Sequence, residues 1–267
     1  MRLLAAVDNS AVARHVLEAA NVIAPLLGAS VDAIHIREDG ARTARAAASA
    51  ASLELREVPD HIFERLTEAA REEDVVGLVI GTRSGRLARR LLGHVALDLL
   101  VAVSKPLVLV PPHTAMAFQL RRVLVPLDGT TITAAALTET VVLARDAEVE
   151  VDVLHVREED SLPLFSEQPQ HETESWAREF IARYCPAVDL GRLHLRVGRP
   201  GEHVVGVAEE TGADLIALGW AQDLSPGRAS VVREALERSR IPVLLVPVVE
   251  LHSRDRSQKY RSRAILG

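Results

Sequence analysis

A glycine- and arginine-rich loop between residues 81 and 94 contains the residues whose types and spacing could do chemistry. The apolar run 75–80 ends at Gly81, and a segment with apolar residues at helical spacing begins at residue 91. Between and just after them stand Arg83, Gly85, Arg86, Arg89, Arg90, Gly93 and His94. Glycines let backbone N–H groups approach an anion, while arginines and a helix N-terminus attract negative charge. The pattern indicates a phosphate-binding loop, with a solvated basic surface as the alternative interpretation.

The elements that must position this loop come from a tandem repeat. The block RLLAAVDNS returns as RVLVPLDGT, which makes Asp8 and Asp128 equivalent at a spacing of 120 residues. AIHIRE returns as VLHVRE at the same spacing. Gly81 recurs as Gly219 after 138 residues, and KPLVLVP recurs as IPVLLVP after 136. Four blocks in one order predict two copies of one fold, the second with a longer insert after its second strand.

Within each copy, short apolar runs alternate with segments of helical period. The predicted strands are residues 3–7, 31–36, 53–57, 76–80 and 107–110, and then 123–127, 149–156, 193–197, 215–218 and 243–246. Strands that alternate with helices predict right-handed crossovers and a parallel sheet, and continuous apolar strands predict burial on both faces. We therefore expect an α/β protein of two tandem, doubly wound domains, each with a five-stranded parallel sheet.

The domain boundaries follow from composition. We place the first domain at residues 1–112 and the second at 121–248, joined by a proline-containing linker at 111–120. The polar insert 159–174 is expected to be a loop or partly disordered, and the basic segment 249–267 a flexible tail. The last strands, 107–110 and 243–246, are expected to meet, because edge strands of this kind need to be covered.

The overall composition limits the function classes. A formal net charge of −6 gives no general reason to expect nucleic acid as a partner. The single cysteine, Cys185, excludes an internal disulfide. No apolar run has the length of a membrane span, and the first residues lack the apolar length of a signal peptide. We expect a soluble cytoplasmic protein without a membrane span.

The chain resembles the universal stress protein family. The resemblance rests on the aspartate that closes the first strand, the VGRPGEHVVGVAEETGADLIALG block, the glycine-rich loop and the PVLLVP strand. It implies a Rossmann-like, adenine-nucleotide α-hydrolase-like fold, often paired through the last strand. It also implies ATP as a ligand in members that keep a Gly-x2-Gly-x9-Gly-Ser/Thr loop, whereas members that lack this loop do not bind it. If ATP binds to the first domain, Mg²⁺ is expected as its companion.

Neither copy keeps that loop intact. In the first copy, Gly81 and Gly93 match the first and last glycines with one residue too few between them. Ser84 stands at the second glycine, Gly85 comes one place late, and His94 replaces the Ser/Thr. In the second copy only Gly219 and Ser230 match, while Gln222 and Ala229 stand at the other two glycine positions. The resemblance therefore implies at most one partly preserved nucleotide site, in the first domain.

Two further positions belong to the candidate sites. The resemblance places Asp8 beside the adenosine part of the ligand, and the backbone around Val7 and Asn9 could frame the base. Capping of the following helix is the alternative role for Asp8 and the favoured one for Asp128. With Gly219 and Ser230, Asp128 forms the weaker second site.

Other reactive residues are interpreted as structural. His35 and His155 recur near the end of the second strand, without a histidine or cysteine cluster at metal-binding spacing. Cys185 has no partner motif, so no redox role is assigned. The sequence shows no Gly-x-Ser-x-Gly elbow, no Gly-x4-Gly-Lys-Ser/Thr loop and no His-Glu-x2-His helix. No catalytic or metal site is expected.

The sequence therefore favours a tandem universal stress protein that senses a ligand or binds a protein partner. Its two copies are expected to pack as a dimer within one chain, either alone or as a homodimer of tandem chains. The alternative hypothesis is a slow ATPase that uses the loop of the first domain. A nucleic-acid or membrane adaptor that acts through the basic tail is a third, less favoured hypothesis.

Overall fold

The two copies of the repeat each fold into alternating strands and helices. The computed structural model describes residues 1–37, 40–59, 61–82, 93–115, 118–157, 169–223 and 229–248. The first half comprises β1 (Arg2–Val7), α1 (Ala13–Leu26), β2 (Ser30–Arg37), α2 (Arg42–Ala50), β3 (Leu55–Pro59), α3 (Ile62–Arg71), β4 (Val75–Gly81), α4 (Gly93–Ala102) and β5 (Leu107–Val110). The second comprises β6 (Arg122–Pro126), α5 (Thr131–Asp146), β7 (Glu150–Arg157), α6 (Pro169–Tyr184), β8 (Leu193–Val197), α7 (Pro200–Thr211), β9 (Leu215–Trp220), α8 (Ser230–Arg238) and β10 (Val243–Pro247).

The strands form a single ten-stranded sheet in the order β3-β2-β1-β4-β5-β10-β9-β6-β7-β8. Each half supplies five parallel strands in the doubly wound order that the sequence predicts. Between the halves, β5 and β10 pair antiparallel, with Val108 opposite Leu244. These two residues are equivalent in the repeat, so the local twofold axis passes between them. The strands that we expected to meet are the two that pair at this seam.

The helices cover the sheet differently on its two faces. On one face, α3, α4, α7 and α8 share a single apolar core that includes Leu100 of the first half and Trp220 of the second. On the other face, α1 and α2 cover the first half, and α5 and α6 cover the second, as separate cores. One core therefore ties the halves together across the seam.

The connecting segment between the halves packs against both of them. Phe118 is buried in the core of the first half, and Leu120 contacts the cores beneath α1 and α5. Residues 116 and 117 lie outside the described part of the chain.

Two sequence expectations need correction. Strand β3 lies at Leu55–Pro59, two residues later than expected, because the turn after α2 uses Ser52 in a left-handed conformation and bonds the Leu53 amide back to Ala48. Residues 169–174, expected to be part of a loop, begin helix α6. Pro169 suits a first helical turn, and Trp176, Phe180 and Tyr184 recur at the helical spacing of four. Residues 158–168 and the tail 249–267 lie outside the described residues.

No helix in the described ranges is both long and apolar enough to cross a membrane.

Candidate functional site

The candidate nucleotide site lies where the strand order reverses in the first half. Strand β1 lies between β2 and β4, and Ala6 pairs with Ile34 on one side and Ile80 on the other. Val7 and Gly81 end β1 and β4, and Asp8 follows β1, so these residues lie at the same edge of the sheet. In open α/β sheets this crevice is where ligands bind.

Asn9 binds the loop between β2 and α2 to the end of β1. Its amide nitrogen donates to the Gly40 carbonyl at 2.7 Å, and its amide oxygen accepts the backbone N–H groups of Thr43 and Ala44 at 3.2 and 3.3 Å. Asn9 thus caps the N-terminus of α2 from another loop. Its side chain has a structural role, whereas the sequence suggested only that its backbone frames a base.

His35 reinforces the same connection. It is 3% exposed, its Nδ1 lies 2.8 Å from the Val7 carbonyl oxygen, and its Nε2 lies 3.1 Å from that of Gly40. A carbonyl oxygen can only accept, so the ring nitrogen donates at each contact that forms a hydrogen bond. The contacts match the structural interpretation of this histidine. Together, His35 and Asn9 hold the backbone at Gly40 against the end of β1, next to Asp8.

Asp8 itself begins the turn into α1. Its Oδ1 accepts the backbone N–H of Ser10 at 2.9 Å. The equivalent Asp128 makes the same 2.9 Å bond to Thr130 N–H and also accepts the hydroxyls of Thr130 at 2.8 Å and Thr133 at 3.0 Å. Ala13 stands where the second half has Thr133, and an alanine has no hydroxyl to make the last of these bonds. The carboxylate of Asp128 is therefore committed to the first turn of α5.

Close packing explains why the first residue of each loop is a glycine. A Cβ on Gly81 would lie 2.8 Å from Cγ1 of Val12, and a Cβ on Gly219 would lie 2.9 Å from Cγ2 of Thr133. In each half a glycine is needed because the chain at the start of the helix after the first strand closely approaches the end of the fourth strand. Retention of Gly219 therefore follows from packing, and does not by itself indicate a second nucleotide site.

Substitution of Gly81 is expected to act mainly on stability. Gly81→Ala should lower the free energy of unfolding by about 1–2 kcal/mol, because the new methyl group overlaps Val12. The double variant Gly81→Ala/Val12→Ala should recover part of that loss in urea unfolding. A double variant no more stable than Gly81→Ala would show that Val12 is not the obstructing group.

The basic part of the loop follows Thr82, which is buried and donates its backbone N–H to the Val110 carbonyl at 2.9 Å. Gly93 begins helix α4 and His94 lies in its first turn. Arg83, Gly85, Arg86, Arg89 and Arg90 lie outside the described residues, as does the side chain of His94. The described backbone thus brings both ends of the loop, Gly81 and Gly93, onto elements of the first half.

The equivalent loop of the second half contacts the first half. Trp220 follows Gly219 and is 4% exposed in the core shared by both halves. Gln222 directs its amide nitrogen to the C-terminal end of α4, 2.7 Å from the Val103 carbonyl oxygen. No sequence motif indicated this contact, because the two residues are far apart in the chain and belong to different copies.

The backbone of this second loop keeps two left-handed residues without glycine. Gln222 has φ +57° and Ala229, at the last glycine position, has φ +52°. Ser230 follows as the first residue of α8. Residues 224–228 lie outside the described part of the chain. At both positions the second copy therefore adopts the positive φ that glycine favours.

Restoring glycine at one of these positions is expected to stabilise the fold. Ala229→Gly should raise the free energy of unfolding by about 1 kcal/mol, because a Cβ is unfavourable in the left-handed region. Ala235→Gly, in the middle of α8, is the matched control and should destabilise. Urea unfolding of the two variants measures the difference. Equal effects at both positions would contradict the strain at Ala229.

An aromatic cluster covers the second-half histidine. His155 Nδ1 donates to the Leu127 carbonyl at 2.8 Å, and its ring centroid lies 4.5 Å from that of Phe180 and 5.1 Å from that of Trp176. Burial lowers the pKa of His155, and the charge of Arg157 lowers it further, against the raising effects of the Leu127 bond and Asp128. These contacts again match a structural histidine.

The lowered pKa of His155 predicts a loss of stability in acid. The unfolded chain binds a proton at this histidine more readily than the folded chain, so stability is greatest above the ordinary pKa of 6.5 and falls as the pH drops through it. Melting temperatures between pH 7.5 and 5.5 should fall less for His155→Asn, which keeps a donor toward Leu127. Parallel curves would contradict this assignment.

Cys185 is buried, and burial raises the pKa of its thiol to about 11. Such a thiol is unreactive near neutral pH. In the described ranges, no group of three or more histidine, cysteine, aspartate or glutamate side chains could hold a metal ion.

Comparisons with known proteins agree with this fold. The model of the universal stress protein family matches residues 119–247. No curated protein matches the chain. Among solved structures, a putative universal stress protein from Pseudomonas aeruginosa is 15% identical, with 92% of each chain covered and a TM-score of 0.66. A functionally unknown protein from the same species is 14% identical, with the same coverage and TM-score. A universal stress protein from Archaeoglobus fulgidus is 15% identical, covering 93% of this chain and 97% of its own, with a TM-score of 0.63.

The fold is thus a doubly wound α/β unit present twice, with one strand-order reversal in each half. The second half of the chain is a universal stress protein domain, and the first half repeats its fold.

Proposed function

We propose that this protein is a stress-response module that senses ATP, with Mg²⁺ as its companion, through its first half alone. The second half then serves as a packed structural partner. The observation that carries the proposal is that the described part of the second-half loop is used in contacts with the first half. In the second half, Trp220 is buried and Gln222 is bound to α4.

The donor set of the first half suits a nucleotide. The arginines at 83, 86, 89 and 90 supply positive charge for a triphosphate, and Gly85 and Gly93 allow close approach of the backbone. The N-terminus of α4 adds its partial positive charge to the same region. Asp8 at the end of β1 would accept hydrogen bonds from the adenosine part. The loop arginines, Asp8, Val7 and the start of α4 are the proposed binding residues.

The second half offers a poorer donor set for the same ligand. Asp128 already accepts bonds from both threonines of the α5 turn, and Asp223 adds a carboxylate where phosphates would lie. A carboxylate close to a triphosphate is unfavourable. Ser230 remains at the start of α8, but without the glycines that precede it in the family loop.

The test is thermal unfolding with and without ATP and Mg²⁺. Ligand at about one hundred times its dissociation constant stabilises by about 2.7 kcal/mol, which a melting curve resolves. The triple variant Arg86→Ala/Arg89→Ala/Arg90→Ala should lose most of this shift. Arg14→Ala/Arg65→Ala/Arg178→Ala removes three exposed arginines from helices elsewhere and should keep it.

Absence of any shift in the wild-type chain would overturn the proposal. An equal shift in both triple variants would place the ligand away from the loop. Release of inorganic phosphate from the same samples separates sensing from slow ATP hydrolysis, which would use the same residues.

A further inference from the structure

The amide of Gln222 caps helix α4 from the other half of the molecule. Its Nε2 lies 2.7 Å from the Val103 carbonyl oxygen, with longer approaches of 3.4 and 3.5 Å to those of Val101 and Leu100. The last carbonyl groups of a helix have no partner within the helix. Gln222 therefore donates to groups that would otherwise need water or another cap.

Gln222 makes this contact from a backbone conformation that is unfavourable for a residue with a Cβ. A glutamine at φ +57° is less stable there than glycine. Glycine at this position would relieve the strain but would leave the α4 carbonyls without this donor. The second copy thus keeps a left-handed backbone at residue 222, and the glutamine side chain there binds the first half.

Helix α4 connects this cap to the candidate site. It begins at Gly93, the last glycine of the nucleotide loop, and ends at Ala102, about 14 Å away at the rise of an α-helix. Leu99 and Leu100 are 1% exposed in the core shared by the two halves. The Val103 N–H still donates to the Leu99 carbonyl at 2.9 Å. The capped end is therefore continuous with the rest of the helix.

We propose that Gln222 is a positioning residue for the nucleotide loop of the first half, acting through helix α4. This inference rests on the proposed nucleotide site. The bond holds α4 where its N-terminus meets the phosphates, so ligand binding need not order the helix. Because coupling between sites is reciprocal, a bound nucleotide should in turn strengthen the Gln222 contact.

The equivalent end of α8 is followed by a turn with a side-chain bond inside its own half. Val103 corresponds to Ser239, whose hydroxyl donates to the Ile241 carbonyl at 2.7 Å and accepts its N–H at 3.2 Å. The position equivalent to Gln222 is Ser84, which lies outside the described residues. The described contact therefore runs from the second half to the first.

Three variants of the full chain test this role. Gln222→Glu keeps the length but places a carboxylate, which cannot donate, against carbonyl oxygens. Gln222→Lys keeps a donor, and a cation is favourable at a helix C-terminus. Gln119→Glu makes the same charge change on the exposed connecting segment and is the control. Hydrogen exchange of the α4 amides is measured without ligand, and the Kd for ATP with Mg²⁺ by titration.

We expect Gln222→Glu to speed exchange in α4 and to weaken ATP binding, each about three- to tenfold, the factor that one neutral hydrogen bond represents. Gln222→Lys and Gln119→Glu should stay near the wild type in both. Faster exchange with an unchanged Kd would overturn the positioning role and leave the proposed function standing. Unchanged exchange in Gln222→Glu would overturn the cap itself, whatever the Kd. A wild-type chain that binds no ATP would overturn the proposed function, and the exchange result would still report on the cap.

Discussion

Replacing Trp220 with alanine is expected to lower the free energy of unfolding by about 3–5 kcal/mol. The side chain is 4% exposed and belongs to the core that both halves share. Its removal leaves a large cavity at the C-terminal end of β9, next to the loop that contains Gln222. The loss should therefore affect both halves, because their common core is opened.

Urea unfolding followed by far-UV circular dichroism measures this loss, since the backbone reports on both halves. The control is Thr82→Ala, at the equivalent position of the first half, where a small side chain is also buried. We expect the control to lose about 1 kcal/mol. A Trp220→Ala loss no greater than the control would contradict the role of Trp220 in joining the halves.

Asp152→Ala is expected to lower the free energy of unfolding by about 2–3 kcal/mol. The carboxylate is 2% exposed and lies near the start of β7, in the second half. It is 2.7 Å from His194 Nε2, 3.3 Å from Arg122 Nε and 3.5 Å from Arg192 Nη1. Its removal leaves these partners without their shared buried negative charge, although Glu150 still pairs with both arginines.

Asp32→Ala is the matched variant in the first half. Asp32 is equivalent to Asp152 and pairs with Arg2 at 2.6 Å and Arg56 at 2.8 Å, but its side chain is more exposed, at 13% against 3%. Solvent screening should make its loss the smaller of the two. Denaturant midpoints at constant salt give the comparison. A larger loss for Asp32→Ala would contradict the burial argument.

Most of the fold could be predicted because the same constraints act twice. A strand buried on both faces must be apolar along its length, so the runs that become β1 and β6 are recognisable and align. The pairing of β5 with β10 follows from the need to cover an edge. Helix α6 was missed at its start, because polar residues near 169–174 resemble a loop until the aromatic spacing from Trp176 is included.

The site was less predictable, because its contacts join residues that are distant in sequence. Spacing identifies a loop, but it gives no information on which carbonyl group Gln222 reaches in the other half. The sequence also does not reveal whether a glycine is needed for ligand binding or for packing. Gly81 and Gly219 are required because neighbouring side chains leave no room for a Cβ. Asp128 accepts a hydrogen bond from the hydroxyl of Thr133. The equivalent residue of the first half is Ala13, which has no hydroxyl.

The central claim is one nucleotide site per chain, in the first half. Isothermal titration of the full chain with ATP and Mg²⁺ tests it most directly, because the stoichiometry is measured together with the heat. We predict one ATP bound per chain and loss of that binding in Arg86→Ala/Arg89→Ala/Arg90→Ala. Two ATP molecules per chain, or one that persists in this variant, would contradict the claim, as would no binding at all.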